Sequence, residues 1–164
     1  IEAVSCLKSN LVHLLFIGEG SEKSRLEKKC QRASLSFKFL NHVSNEALYR
    51  YYAAADIFIL PSITTKDFKE PWGLVVNEAM NQSCPIIATG AVGAAAGGLI
   101  EHGKTGFIIP ERNSSALKKA VEILLNDQNI FLAMRGASRE RIQDWTPEKM
   151  SEGFIQAINY VAKV

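Results

Sequence analysis

The sequence predicts an α/β domain built on a parallel, doubly wound sheet of the Rossmann-like type. Short apolar segments alternate along the chain with amphipathic segments that favour helix, which is the pattern of repeated β-α units. The apolar segments lack a polar face, as expected for parallel strands that helices cover on both sides. The 164 residues, 47% hydrophobic and 22% charged, match the size and composition of one globular domain.

Five strands are predicted from apolar runs that end at turn-forming residues. The first run, residues 11–17, is interrupted only by His13 and ends at Gly18-Glu19-Gly20. The third run ends at Pro61-Ser62. In chain order the strands are expected at residues 11–17, 37–40, 57–60, 85–89 and 106–109.

Capping residues and apolar periodicity predict the helices. Residues 1–4 are typical of the end of an amphipathic helix, and Ser21 is the expected cap of the next helix. Ser44 or Asn45 is expected to cap the helix after that, and Thr146 the last one. In chain order these helices are expected at residues 21–33, 45–55, 73–82, 114–126, 129–144 and 147–162.

Charge and cysteine content argue against several classes of function. The net charge of +2 is too small to indicate a nucleic-acid partner. Cys6, Cys30 and Cys84 are widely spaced and form no CxxC pair, so neither a disulfide framework nor a zinc site is expected. The three histidines lack metal-ligand spacing, and no apolar run reaches transmembrane length.

The stretch from Glu70 to Ala79, which reads Glu-Pro-Trp-Gly-Leu-Val-Val-Asn-Glu-Ala, is the strongest candidate for a ligand site. It follows a strand and a loop and opens a helix, and parallel sheets bind ligands at such junctions. The first amides of a helix have no internal partner, and the helix dipole attracts anions such as a diphosphate. Gly73 would let a ligand approach the backbone closely.

Two carboxylates flank this predicted anion site. Glu70 precedes the helix, and Glu78 lies roughly 7–8 Å further along its axis than the helix start. Carboxylates repel phosphate, so they are better explained as acceptors for sugar hydroxyls on either side of the phosphates. The competing interpretation is that acidic residues simply favour the positive end of the helix dipole. Spacing and charge leave both interpretations open.

Several segments resemble the large family-4 (group 1) glycosyltransferases of the GT-B fold. Glu70 and Glu78 resemble the E-x7-E motif of that family, and Glu78-Ala79-Met80 its E-A-M. Three further segments match. Ala55-Asp56-Ile57-Phe58-Ile59-Leu60-Pro61-Ser62 resembles the family's strand before the active-site loop. Gly103-Lys104-Thr105-Gly106-Phe107 resembles its G-K-T-G turn, and Gly18-Glu19-Gly20 resembles its G-x-G. Their order and spacing agree from about residue 3 to residue 160.

This resemblance implies a C-terminal donor-binding half of a GT-B enzyme. Residues 1–164 would bind a UDP-, GDP- or ADP-sugar, and residues 147–164 would form the closing helix. The enzyme would transfer a hexose to a glycan or lipid-linked acceptor with retention of configuration and without a metal or other cofactor. A separate N-terminal domain would bind the acceptor and make any membrane contact, at a cytoplasmic location or at the inner membrane face.

The resemblance also implies a role for each residue of the candidate site. Glu70 would be catalytic, in contact with the transferred sugar near the reacting centre. Glu78 would bind the ribose hydroxyls of the donor. The backbone amides around Trp72, Gly73 and Leu74 would hold the donor diphosphate.

The remaining donor contacts are implied at the first two strands. Residues 40–43, Val43 included, would lie against the nucleobase, largely through their backbone. Gly18 and Gly20 would give the donor room beside the sheet. The three clustered tyrosines at positions 49, 51 and 52 are expected to pack against the sheet, with ligand or partner contact as the second interpretation.

Two features depart from the family pattern. The family has an Arg and a Lys, on and after a central first strand, that neutralise the donor phosphates. A chain that begins at Ile1 has no counterpart to these elements, so we expect this fragment alone to be inactive. Where the family reads G-G-x-P-E, this chain has the Gly- and Ala-rich residues 93–98. The expected glutamate is either replaced by Gly98 or shifted by one residue. This segment is either a looser helix cap or a changed contact with the donor sugar.

Two other functions stay open at this point. The first is another enzyme of the same architecture, such as a nucleotide-sugar epimerase or a glycogen-phosphorylase-like enzyme. The E-x7-E pair argues against it, and no motif for a lysine that anchors pyridoxal phosphate is found. The second is a nucleotide-binding regulatory module that keeps the fold without catalysis.

Overall fold

A computed structural model describes residues 1–7 and 12–162 of the chain. Within these residues, five strands alternate with eight helices. In chain order the elements are α1 (Glu2–Ser5), β1 (His13–Ile17), α2 (Lys23–Arg32), β2 (Ser36–Leu40), α3 (Asn45–Ala54), β3 (Phe58–Leu60), α4 (Leu74–Asn81), β4 (Ile86–Thr89), α5 (Gly93–Ala96), β5 (Gly106–Ile109), α6 (Ser114–Asn126), α7 (Gln128–Ile142) and α8 (Pro147–Ala162). The predicted start of the first strand at Leu11 lies outside the described residues.

The strands pair in parallel, which confirms the predicted α/β class. β1 pairs with β2 in a two-stranded sheet, in which His13 lies opposite Ser36 and Ile17 opposite Leu40. β4 lies between β3 and β5 in a three-stranded sheet. Hydrogen bonds therefore group the described strands into two sheets, a division that the sequence pattern does not indicate.

The main core lies on both faces of the three-stranded sheet. Ile86 and Ile87 are adjacent in β4, so their side chains point to opposite faces, and both are fully buried. Ile86 packs in a cluster with Val76 and Met80 of α4. Ile87 packs in a second cluster with residues of α6 and α7, including Leu124. Helices cover β4 on both faces, as the continuous apolar run predicts.

The two-stranded sheet is less buried, and here the prediction of strands covered on both faces is wrong. The side chains of Leu15 and Ile17 in β1 are 40% and 38% exposed. Leu14 and Phe16, on the other face, are half-buried, and the Phe16 ring stacks on Phe39 of β2 with centroids 4.3 Å apart. An apolar side chain is buried only where another element covers it, and the described residues cover one face of β1 incompletely.

The helix boundaries agree with the sequence to within two residues. Thr146 caps α8 as predicted, because its Oγ1 accepts a hydrogen bond from the Lys149 amide at 3.3 Å. Ser21 is not a cap, since α2 begins at Lys23 after Glu22 without a side-chain cap. The short helix α5 lies in the Gly- and Ala-rich segment that the sequence left unassigned.

α8 makes a long exposed surface at the end of the chain. None of its described residues is buried. Met150, Phe154, Ile155 and Ile158 are between 57% and 64% exposed, so the helix presents apolar side chains that no described element covers. The last two residues of the predicted closing helix, 163–164, lie outside the described residues.

A search of residues 1–7 and 12–162 for membrane-crossing helices found none with the necessary length and apolar character.

Candidate functional site

The helix at the centre of the candidate site begins at a glycine in the left-handed conformation. Gly73 immediately precedes α4 and has a φ of 87°. A Cβ at this position would lie 2.9 Å from a Leu60 methyl carbon and 3.1 Å from a Val92 methyl carbon. A larger residue would therefore strain both the backbone and the packing. Gly73 lets the chain turn sharply from the loop after β3 into α4.

Three backbone amides at the start of α4 lack a hydrogen-bond acceptor among the described residues. The Val76 amide donates to the carbonyl oxygen of Gly73 at 2.8 Å, which closes the first turn. Among the described residues, the amides of Gly73, Leu74 and Val75 have no protein acceptor. Such amides, with the positive end of the helix dipole, attract an anionic group. This geometry supports the anion site that the sequence predicted at the start of the helix.

The backbone before α4 is held in place by the segment after β4. The Gly93 amide donates to the carbonyl oxygen of Glu70 at 3.1 Å, and the Ala94 amide to that of Trp72 at 2.9 Å. A Cβ at Gly93 would lie 1.8 Å from the Pro71 carbonyl oxygen, and one at Gly97 would lie 2.5 Å from the Trp72 ring. The Gly- and Ala-rich segment is therefore a tight support for the candidate site, and neither sequence interpretation anticipated this role.

The Trp72 side chain is fixed at the start of α4 by two contacts. Its ring nitrogen Nε1 donates to Asn77 Oδ1 at 2.9 Å. Its ring lies 5.0 Å from the ring of Trp145, between α7 and α8. Arg141 also contacts this region. Its Nη2 donates to the carbonyl oxygen of Gly98 at 2.7 Å, and its guanidinium lies over the Trp145 ring. The Trp72 indole is therefore packed in a fixed position just before α4.

The Glu78 carboxylate is exposed on α4 and has a buried tyrosine as its partner. The Tyr52 hydroxyl donates to Glu78 Oε2 at 2.9 Å. Tyr52 is 8% exposed and packs edge-to-face on Phe58 of β3, with ring centroids 5.5 Å apart. Burial, and then the hydrogen bond to Glu78, raise the pKa of Tyr52 well above its ordinary value. The sequence predicted the packing of this tyrosine against the sheet but missed its contact with Glu78.

The structure places the predicted site residues in two groups. Glu70, Trp72, Gly73, Leu74 and Glu78 lie together along one loop and the helix that follows it. The other predicted residues lie at the carboxyl ends of the two-stranded sheet, and they are Gly18, Gly20 and Val43. No hydrogen bond among the described residues joins the two groups.

Gly18 has a defined structural role at the end of β1. Its φ of 134° is one that residues with a Cβ rarely adopt, and its amide donates to the carbonyl oxygens of Leu40 and Asn41 at 3.0 and 3.1 Å. Gly20 has open space around its α-carbon, as the predicted role of making room for a ligand requires. Val43 is half-buried between β2 and α3.

A further contact, which the sequence did not reveal, ties the loop after β3 to the end of β5. Glu111 accepts hydrogen bonds from the Thr64 amide at 2.6 Å and from Thr64 Oγ1 at 2.8 Å. These two bonds lower the pKa of the Glu111 carboxyl below its ordinary value. Thr89 Oγ1 also donates to the Ser62 carbonyl oxygen at 2.5 Å. The loop that leads to Glu70 is therefore held by the end of β4 and by the segment after β5.

The groups that could hold a ligand at this site are amides and carboxylates. In the part of the chain that the structure describes, no three His, Cys, Asp or Glu side chains come together as metal ligands. Backbone amides bind anionic oxygens, and carboxylates accept hydrogen bonds from hydroxyl groups. The arrangement therefore suits a ligand that carries an anionic group next to hydroxylated rings.

Known proteins resemble the chain in sequence and in fold. The family model described as "Glycosyl transferases group 1" matches residues 1–143. An uncharacterized glycosyltransferase of Haemophilus influenzae is 29% identical over 142 residues, which cover 85% of this chain and 38% of that protein. A GDP-mannose-dependent alpha-(1-6)-phosphatidylinositol monomannoside mannosyltransferase of Mycobacterium tuberculosis is 30% identical over 131 residues. These residues cover 77% of this chain and 34% of that protein.

A solved structure shows the same fold. The HepE protein of Anabaena in complex with UDP matches this structure with a TM-score of 0.80 at 22% identity, covering 97% of this chain and 43% of that one. At that identity the likeness concerns the fold alone. The chain spans 38% and 34% of the lengths of the two sequence relatives.

Proposed function

The chain belongs to the glycosyl transferases group 1 family, and on that premise we propose that it binds the nucleotide-diphospho-sugar donor of a GT-B glycosyltransferase. The observation that carries this proposal is the start of α4. There, free backbone amides lie between Glu70 and Glu78, the pair that resembles the E-x7-E motif of the family. The family match also favours a transferase over an epimerase or a phosphorylase.

The donor diphosphate binds at the amides of Gly73, Leu74 and Val75 in this proposal. Three amides and the helix dipole present positive charge at fixed positions. Negative charge develops on the diphosphate as the bond to the sugar breaks, and groups already in position stabilise that charge without reorganisation. The hydrogen bonds from Gly93 and Ala94 hold the preceding backbone still, which preserves this arrangement.

The two carboxylates bind the sugars on either side of the diphosphate. Glu78 accepts hydrogen bonds from the ribose hydroxyls, because it is exposed on α4 beyond the free amides. Glu70 contacts the transferred sugar, because it precedes the amides and its backbone is held by Gly93. An acceptor carboxylate at each end fixes the direction in which the donor lies along the site.

The nucleobase lies at the carboxyl end of β2 in this proposal. Residues 41–44 connect β2 to α3, and Val43 offers a half-buried apolar side chain there. Gly18 and Gly20 leave room for the donor beside β1. The M. tuberculosis relative depends on GDP-mannose and the HepE structure contains UDP, so guanine and uracil are the first bases to test, with adenine as the third.

The complete reaction is proposed to need more than this chain. We propose retaining transfer of a hexose to a glycan or lipid-linked acceptor, without a metal cofactor. The acceptor and any contact with the inner face of a membrane belong to another part of the enzyme, since the chain spans about a third of its relatives. The exposed apolar side chains of α8 offer a surface on which that part can pack. This chain alone is expected to bind the donor without transferring the sugar.

Calorimetric titration of the chain with UDP, GDP and ADP tests the proposed binding. We expect at least one of the three to bind, and Glu78→Ala to weaken that binding about tenfold or more, because a hydrogen bond to a charged group is lost. Glu152→Ala is the matched control, since Glu152 is exposed on α8, and it should bind like the unaltered chain. No binding by any nucleotide, or equal binding by Glu78→Ala, would contradict the proposal.

A second experiment tests the role of Glu70 in the reaction. In the full-length enzyme, Glu70→Gln should lower kcat severely while nucleotide binding stays close to that of the unaltered enzyme. The backbone hydrogen bond from Gly93 to residue 70 is retained in this variant, so the loop keeps its position. Near-normal turnover would show that Glu70 does not act at the reacting centre.

A further inference from the structure

We infer that Tyr52 is a positioning residue that orients the Glu78 carboxylate towards the ribose of the donor. The inference deepens the proposed function and rests on it, because it assumes that Glu78 binds the ribose. Its basis is the hydrogen bond of 2.9 Å from the Tyr52 hydroxyl to Glu78 Oε2, which joins α3 to α4 across 26 residues of sequence.

Tyr52 is held rigidly from three directions. Its ring packs edge-to-face on Phe58, and its side chain is 8% exposed within the main core. Its backbone carbonyl oxygen accepts a hydrogen bond from the Cys84 thiol at 3.0 Å. The hydroxyl is therefore a fixed donor at the edge of the core, directed at one oxygen of an exposed carboxylate.

Glu78, by contrast, is an exposed side chain with three rotatable bonds. A free glutamate on a helix samples several rotamers, and binding a ligand requires that it settle in one of them. The Tyr52 hydroxyl holds Oε2 and so selects a rotamer before a ligand arrives. Among the described residues, Oε1 accepts no hydrogen bond from the protein and stays free to accept one from a ligand hydroxyl.

Tyr52 and Glu78 line one cleft, which is formed by α3, α4 and α7. The cleft has a volume of about 380 Å³. Its other lining includes Leu48 and Tyr49 of α3 and Arg139 of α7. The carboxylate therefore belongs to the wall of a cavity that is large enough to admit a ligand hydroxyl.

The hydroxyl of Tyr52 remains a donor throughout the neutral pH range. Burial, and after it the hydrogen bond to Glu78, raise the pKa of Tyr52. A protonated phenol next to a carboxylate can only donate to it. The contact therefore keeps its direction throughout the neutral pH range.

The experiment removes only the hydroxyl and compares two probes. Tyr52→Phe keeps the ring on Phe58, and Tyr51→Phe is the matched control, the same change one residue earlier on α3. Each variant of the chain is titrated with whichever of UDP, GDP and ADP binds tightest, and with inorganic pyrophosphate, which lacks a ribose. We expect Tyr52→Phe to weaken nucleotide binding about three- to tenfold. Pyrophosphate binding should change less than about twofold, and Tyr51→Phe should change neither.

A double-mutant cycle separates this inference from the proposed function. In the Glu78→Ala background, Tyr52→Phe should have almost no further effect, because its only route to the ribose has been removed. If Glu78→Ala weakens nucleotide binding and Tyr52→Phe does not, the inference fails and the proposed function stands. If Glu78→Ala has no effect, or no nucleotide binds, the ribose assignment fails and the inference falls with it.

An equal loss for both probes has a separate meaning. If Tyr52→Phe weakens nucleotide and pyrophosphate binding by the same factor, Tyr52 acts through the fold of the domain and the inference is overturned.

Discussion

The two sheets are built from strands of similar composition, yet they differ in burial. The first two residues of β4, Ile86 and Ile87, are fully buried, one against α4 and the other against α6 and α7. In β1, Leu15 and Ile17 are 40% and 38% exposed. An apolar run therefore predicts a strand, whereas the burial of that strand depends on which elements cover each of its faces.

The same difference divides the candidate site. Its α4 part rests on the buried sheet, and the segments after β4 and β5 hold its loop through Gly93, Ala94 and Glu111. Its other part, at Gly18, Gly20 and Val43, lies at the end of the less covered sheet. We therefore expect the α4 part to be a preformed binding surface and the β1–β2 part to adapt around the nucleotide.

The largest expected contrast comes from the same substitution in the two sheets. Ile87→Ala should lower the free energy of unfolding by about 2–5 kcal/mol, because it leaves a cavity in the core. Ile17→Ala, in β1, should lower it by about 1 kcal/mol or less, because its side chain is already partly in water. Urea unfolding of both variants measures the difference. Equal losses would mean that the two sheets are equally buried in solution.

Two glycines offer the next contrast. Gly93→Ala should destabilise the chain by about 1–3 kcal/mol, because a Cβ there would lie 1.8 Å from the Pro71 carbonyl oxygen and force the loop to move. Gly20→Ala should change stability by no more than about 0.5 kcal/mol, since the space around it is open. Nucleotide titration of Gly93→Ala should also show weaker binding. Unaltered stability in Gly93→Ala would argue against the tight support of the α4 loop.

Two buried thiols report on local opening of each region. Cys30 lies on α2 beside the two-stranded sheet, Cys84 lies between α4 and β4, and both are fully buried. Burial raises the pKa of the Cys84 thiol to about 11, and it also raises that of Cys30. In a Cys6→Ser background, a thiol reagent in mild denaturant should label Cys30 about tenfold faster than Cys84. Labelling at one common rate would show that the two regions open together.

The smallest expected effect concerns the contact between Thr64 and Glu111. The hydrogen bonds lower the pKa of Glu111 from its ordinary value of 4.5, so the folded state favours the charged carboxylate. This contribution to stability is present above the ordinary pKa and is lost as the pH falls through the lower folded-state value. The stability difference between the unaltered chain and Glu111→Gln should therefore shrink below pH 4.5. A difference that stays constant with pH would contradict the role of this contact.

Local sequence signals were sufficient for most of the elements. The alternation of strands and helices and the cap at Thr146 each depend on a few adjacent residues. The match to the family model confirmed the resemblance to the family. The roles of the residues at the start of α4 stay predictions.

Contacts between distant segments could not be predicted in this way. Tyr52 and Glu78 are 26 residues apart, and Thr64 and Glu111 are 47 apart. No local pattern marks these partners, because the packing of separate elements brings them together. The exposure of Leu15 escaped prediction for the same reason, since it depends on what covers the face of β1.

Mapping nucleotide binding on the backbone amides would show directly whether the donor binds at the start of α4. The ¹⁵N-labelled chain would be titrated with UDP, GDP and ADP, and the amide shifts followed by NMR. We predict the largest shifts at Gly73, Leu74 and Val75, whose amides have no protein acceptor among the described residues. Shifts confined instead to the cleft lined by Arg135 and Gly136 on α7, with the α4 amides unchanged, would contradict a donor site at the start of α4.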